Sequence, residues 1–104
     1  MTPFQVQLTR AAVRDLDALP PADRDRITGD VVALAENAIG RPPRIRRLRG
    51  LAFPVYRLRS GDHRVLYRVD GPVVTVMRVV DRRDLDRAIR SLGLVRPERG
   101  ERPR

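Results

Sequence analysis

Residues Arg47 to Asp84, RLRGLAFPVYRLRSGDHRVLYRVDGPVVTVMRVVDRRD, hold three apolar runs threaded with arginine and broken by glycine-centred turns. The runs Phe53 to Arg59, His63 to Val69 and Val73 to Val80 predict three consecutive β-strands, rich in the branched and aromatic residues that suit a pleated surface. Ser60-Gly61-Asp62 and Asp70-Gly71-Pro72 supply the residues that tight reversals need. Side chains alternate faces along a strand. Alternation therefore sets Arg57 and Arg59 against Tyr56 and Leu58, and Arg64, Leu66 and Arg68 against His63, Val65, Tyr67 and Val69. In the third strand it groups Arg78 with Val74, Val76 and Val80, opposite Val73, Thr75, Met77 and Val79. One face of the meander is apolar and needs a cover. The other offers a row of guanidinium groups, which calls for an anion.

Working outward, Pro3 to Leu8 alternates, with Phe4, Val6 and Leu8 on one side of a short first strand. Thr9 is placed to cap a helix whose buried stripe is Ala12, Val13, Leu16 and Leu19. Pro20-Pro21 ends that helix and opens a second, which reaches about Ala38 with Ile27, Val31, Leu34 and Ala35 inward and Gly40 as its stop. Arg41-Pro42-Pro43 is a connector, and Arg83 to Leu92 reads as a short helix with Leu85 and Ile89 inward. The sum is an α+β, two-layer fold: N-terminal strand, helical hairpin, three-stranded antiparallel meander, short C-terminal helix. Residues 1–94 form a single domain, and the basic tail 95–104 is expected to be disordered.

Composition narrows the chemistry. The chain has 104 residues, room for one core. Its formal charge is +9, and all 22 basic residues are arginine, so no lysine is available as a general base. A balance this basic predicts a polyanionic partner, nucleic acid or an acidic protein. Without cysteine there is no thiol nucleophile and no zinc cluster, and the reading calls for no metal and no cofactor. No signal peptide or membrane-length apolar run is present, which predicts a cytoplasmic protein with no membrane contact.

The order of elements, together with AAVRDLDAL, LRG, YRLRSGDHRVLYRVD and VMRVVDRRD, resembles the RelE/ParE superfamily of bacterial toxins over roughly Phe4 to Ile89. The YRLRSGDHRVLYRV core is the specific part of the resemblance; the amphipathic helices alone carry little. The RelE-like branch is similar to a ribosome-dependent endoribonuclease, an mRNA interferase that inhibits translation. The ParE-like branch shares the fold and poisons DNA gyrase. Both imply a cognate antitoxin that wraps the toxin. The RelE-like resemblance, which the core motif favours, implies catalytic roles for Arg57, Arg64 and Arg82 at the scissile phosphate, and RNA contacts by Arg49, Arg59, Arg68, Arg78 and Arg83. It implies attack of a ribose 2′-hydroxyl on the adjacent phosphate without a metal. Two positions depart from the family pattern. Asp81-Arg82 stands where many relatives have His-Arg, and Asp86 where many have a tyrosine for proton transfer. Asp81 and Asp86 can accept a proton, but an ordinary carboxylate is a weak base for a ribose hydroxyl. The departures keep open a ParE-like gyrase inhibitor, or a member that binds its antitoxin and has lost its chemistry.

His63 is the sole histidine; alternation points it, with Tyr67 and Tyr56, towards the helices and a packing role. Arg41, Arg44, Arg46, Arg47 and Arg49 read as a solvated basic connector, with an rRNA or antitoxin contact as the alternatives. The run Asp81 to Asp86 is expected to be held by salt bridges to Arg82, Arg83 and Arg87 rather than to form a metal site.

Overall fold

The computed structural model describes residues 2–51 and 53–92. A short strand β1 (Gln5–Leu8) leads into helices α1 (Arg10–Asp17) and α2 (Pro21–Val32), the second continued by a 3-10 turn, Ala33–Ala35. Four strands follow: β2 (Ile45–Arg47), β3 (Val55–Ser60), β4 (His63–Asp70) and β5 (Val73–Asp81). A 3-10 turn, Arg82–Asp84, then opens the short helix α3 (Leu85–Ser91). The strands form one sheet in the order β1-β5-β4-β3-β2, with β1 parallel to β5 and every other pairing antiparallel. The α+β architecture is the expected one, enlarged by β2. The expected disordered tail, 95–104, lies outside the described residues.

Local chemistry accounts for the hairpin. The Thr9 hydroxyl accepts from the Ala12 amide at 3.1 Å and donates to the Met77 carbonyl at 2.9 Å, so one side chain caps α1 and ties it to β5. Proline opens α2. That helix stops at Val32 and tightens into the 3-10 turn, short of the predicted end at Ala38. Gly40 is needed for close approach and has no positive φ: a Cβ there would lie 2.8 Å from Ile45 Cδ1. Gly61 and Gly71, with φ of 57° and 56°, stand first in their two-residue turns, which favours glycine and suits the twist of the flanking strands.

The main core lies between the hairpin and one sheet face. Ala12, Leu16, Ile27, Val31 and Leu34 meet Leu58, Val65, Tyr67, Val74, Val76 and Val79 there. Tyr67 is fully buried; its hydroxyl donates to the Ala38 carbonyl at 2.7 Å, and its ring stacks on Tyr56 with centroids 5.6 Å apart. Both tyrosines face the helices, as alternation predicts.

Alternation fails in β5. Leu66 pairs with Arg78 while Tyr67 pairs with Val76, so Met77 is an extra residue and the strand bulges. Val74 and Val76 therefore face the helices, while Met77 packs on the opposite side. That opposite side is not a bare arginine row either. Leu51, Val55, Leu66 and Val80 form apolar patches on it, and α3 covers them with Ala88 and Ile89, joined by its C-cap Leu92. Only the end of the face near β2 and the β3–β4 turn is left to the arginines. Among the described residues no helix is long and apolar enough to cross a membrane.

Candidate functional site

Register brings the arginines together. Arg46 of β2 lies opposite Arg57 of β3, and Arg59 of β3 lies opposite Arg64 of β4. Arg57 and Arg59 are two residues apart and share a face. Arg82 joins from beyond the end of β5, where its amide donates to the Asp62 carbonyl at 2.9 Å and holds it beside the β3–β4 turn. With Arg83 these side chains line an open cleft of about 720 Å³, walled by Pro43, Leu48 and Leu85. Like charges directly opposite across two strands are destabilising. Here two such pairs sit side by side.

Among the described residues, none of Arg46, Arg57, Arg59, Arg64 and Arg82 has a carboxylate within ion-pair distance. Arg57 is 9% exposed, and its guanidinium donates to the Pro43 carbonyl at 3.2 Å. Arg64 donates to the carbonyls of Gly61 at 3.0 Å and His63 at 2.9 Å. Burial, and then the charges of Arg64, Arg46 and Arg59, push the Arg57 pKa down. Burial, and then Arg59 and Arg82, push Arg64 down too, against the opposing pull of Asp62 and Asp81. Arginine does not give up its proton in a protein. Burial is the larger cause of the depression, and the repulsion among the arginines that adds to it is the part a bound anion relieves.

The three arginines assigned to catalysis, Arg57, Arg64 and Arg82, all reach this cleft. Of the five assigned to RNA, Arg59 and Arg83 line it as well; the other three do not. Arg49 follows β2 and lines a neighbouring pocket. Arg68 sits at the far end of β4, paired with Asp70 at 2.9 Å and stacked over Phe53 at 4.1 Å. Arg78 is held by Asp15 of α1, with contacts of 2.7 and 3.2 Å that raise its pKa. Arg46 is the cleft residue that sequence reading left in a connector. Its strand is three residues long and follows two prolines, too short to show a period; the alternating charge of Arg44, Arg46 and the β3 arginines was the available signal.

The proton-transfer candidates fare differently from the arginines. Asp81 caps the 3-10 turn, accepting from the Arg83 amide at 2.9 Å and from Arg83 Nε at 3.0 Å. Those bonds hold its pKa below the usual carboxylate value, which makes it a weaker base still. Asp86 is exposed in the first turn of α3 and does not line the cleft. His63 Nδ1 lies 3.4 Å from Arg26 of α2, on the helix side as predicted. The remaining carboxylate of the run, Asp84, pairs with Arg87 at 2.6 Å. Chemically the cleft is a convergent set of guanidinium donors: it can bind, orient and stabilise a phosphate, and among the described residues it brings no strong base.

Comparison with known proteins agrees with the fold. Residues 6–86 match the family model described as the ParE toxin of the type II toxin–antitoxin system parDE. Toxin RelG of Mycobacterium tuberculosis is 37% identical over 89 residues, which is 82% of this chain and 98% of RelG. The archaeal RelE–RelB complex from Pyrococcus horikoshii superposes with a TM-score of 0.67 at 26% identity, covering 77% of this chain and 96% of that one. The toxin–antitoxin complex RelBE2 of M. tuberculosis superposes with a TM-score of 0.52 at 34% identity, covering 76% of this chain and 98% of that one.

Proposed function

The chain belongs to the RelE/ParE superfamily of type II toxin–antitoxin toxins, on its RelE-like side, and from that membership we propose that it cleaves mRNA on the ribosome in the cytoplasm. The observation that carries this reading is the convergence on a single open cleft of five arginines, one of them buried, that have no carboxylate partner among the described residues. A phosphodiester laid across Arg57, Arg64 and Arg82 is held in line for attack by the neighbouring 2′-oxygen. The O2′–P bond forms and the P–O5′ bond breaks, giving a 2′,3′-cyclic phosphate and a 5′-hydroxyl. The 2′ proton passes to water, and the leaving oxygen takes a proton from water. The guanidinium groups stabilise the charge that accumulates on the phosphoryl oxygens. With Asp81 committed to Arg83, rate enhancement rests on orientation and charge stabilisation.

A cognate antitoxin is the second part of the proposal. RelE-like relatives are known in complex with their antitoxins. A +9 protein with an unneutralised cleft suits an acidic or amphipathic partner segment. The depressed Asp81 and the position of Asp86 favour one alternative, a toxin that binds gyrase and cleaves nothing.

The test is mapping of mRNA 5′ ends after brief induction in cells lacking the antitoxin, beside Arg64→Ala. New cuts within translated regions, absent from the variant, are expected. Growth arrest without cuts transfers the activity to a binding target such as gyrase, and neither arrest nor cuts leaves an antitoxin binder without chemistry.

A further inference from the structure

The arginine cleft does not end at β2. A second pocket of about 630 Å³ lies against the edge of that strand and shares Arg46 and Leu48 with the cleft, so the two are adjacent. Strand alternation sets the adjacency. Arg46 is opposite Arg57, on the cleft side, whereas Arg47 is opposite Tyr56, on the helix side. Because β2 is the outermost strand, both faces of its edge are open, and cationic side chains project on either side of it. Arg49 adds a third charge just after the strand. Among the described residues, Arg46, Arg47 and Arg49 have no carboxylate within ion-pair distance, unlike the neighbouring Arg44, which pairs with Asp30 at 3.1 Å. The wall is apolar: Ile39, 58% exposed, faces the pocket together with Tyr56 and Leu48.

We propose that this second pocket is a subsite for the single-stranded RNA flanking the phosphate held in the cleft. The strand passes around the edge of β2, its phosphates on Arg47 and Arg49 and a base against Ile39 and Tyr56. This deepens the reading of the cleft as a phosphate site and rests on it. An apolar wall with a rim of guanidinium groups matches a nucleotide, which offers a flat base face and an anion joined to it through one ribose. Arginine is the cation whose fork fits a phosphate in two contacts. Arg46, common to both pockets, sits where the path turns. The edge is thereby used rather than left as an open invitation to strand pairing.

The experiment measures binding of non-cleavable 2′-O-methyl RNA, a trimer and an octamer, to the full chain over a range of salt. The variants are Arg47→Ala with Arg49→Ala, and Arg64→Ala. Neither Arg47 nor Arg49 has a side-chain partner among the described residues, so the double variant is expected to fold, checked by its melting curve. The octamer is expected to show a salt slope steeper than the trimer's by about 1.4, since each phosphate contact on a single strand contributes about 0.7. The double variant should lose that extra slope and bind the trimer unchanged, while Arg64→Ala weakens both. An unaltered octamer slope in the double variant, with Arg64→Ala still impaired, overturns the subsite and leaves the cleft standing. If Arg64→Ala is also without effect, the cleft reading falls with it. Equal binding of an oligoglutamate peptide, lost equally in the double variant, assigns the pocket to an acidic protein segment and overturns the RNA path.

Discussion

At the scale of single residues, the site is defined by what its charges lack. Arg59 and Arg64 face each other across two strands with no acid between them, an arrangement that costs stability. Arg59→Ala removes one charge of the pair and none of the hydrogen bonds that hold Arg64, so it is expected to stabilise the fold by about 0.2–1 kcal/mol. Thermal unfolding reads this, and the gain should shrink as salt is added, because the repulsion is partly screened. The same variant should bind phosphate-containing ligands less well. A stabilising substitution that weakens binding is the signature of a functional site, whereas loss of both stability and binding marks a structural one. Asp81 gives a second residue-scale prediction. Its folded pKa is depressed by the two bonds from Arg83, so it contributes stability above its unfolded pKa, about 3.9, that is lost as pH falls through the folded value. Asp81→Asn should flatten the stability profile below about pH 4 and leave activity between about pH 6 and 8 unchanged. A large loss of activity across that range would instead make Asp81 the general base.

At the scale of elements, the strands with two full periods were legible in the sequence and the features that depend on partners were not. β3 and β4 show clean alternation bounded by glycine turns, and their faces are as alternation dictates. The bulge at Met77 leaves no local mark, because VVTVMRVV alternates equally well in either frame. It exists because β5 must serve two neighbours: β1 pairs with its first half, and α1 takes over along the second. Asp15 performs that takeover, accepting from Arg78 Nε, Arg78 Nη2 and the Val79 amide at 2.7, 3.2 and 2.9 Å. Sequence reading saw Arg78 as a free cation since its partner is 63 positions away in the chain. Asp15→Ala leaves a half-buried guanidinium and an edge amide without an acceptor, and should cost about 2–3 kcal/mol in chemical denaturation. A loss no larger than that of an exposed pair, under about 1 kcal/mol, would show that Asp15 does not fasten α1 to the sheet. β2 was hidden for a related reason: three residues have no period, and only β3 makes them a strand.

At the scale of the whole molecule, the charge of +9 was plain in the composition, but its concentration was not. Arg26, Arg44, Arg68, Arg78, Arg83 and Arg87 are each matched to a carboxylate. Among the described residues, Arg10, Arg14, Arg24, Arg41 and Arg90 stand unmatched elsewhere, but the densest group of unmatched arginines, Arg46, Arg57, Arg59, Arg64 and Arg82, is gathered where β2, β3, β4 and the end of β5 meet. A protein whose repulsion is spread evenly responds to any salt alike; one whose repulsion is focused responds to an anion that fits. Pyrophosphate, which presents two linked phosphates, should therefore raise the melting temperature more than sodium chloride at equal ionic strength. A ligand that binds only the folded state at about 100 times its dissociation constant adds about 2.7 kcal/mol, a shift of several degrees for a domain of this size. Arg64→Ala opens the middle of the cluster and should lose most of the pyrophosphate effect while keeping the chloride effect. Substitution of Arg68, which lies at the far end of the sheet on its own carboxylate, should change neither. If Arg64→Ala and Arg68→Ala responded equally to pyrophosphate, the field would be diffuse, and the cleft would have no better claim to the phosphate than any other part of the surface.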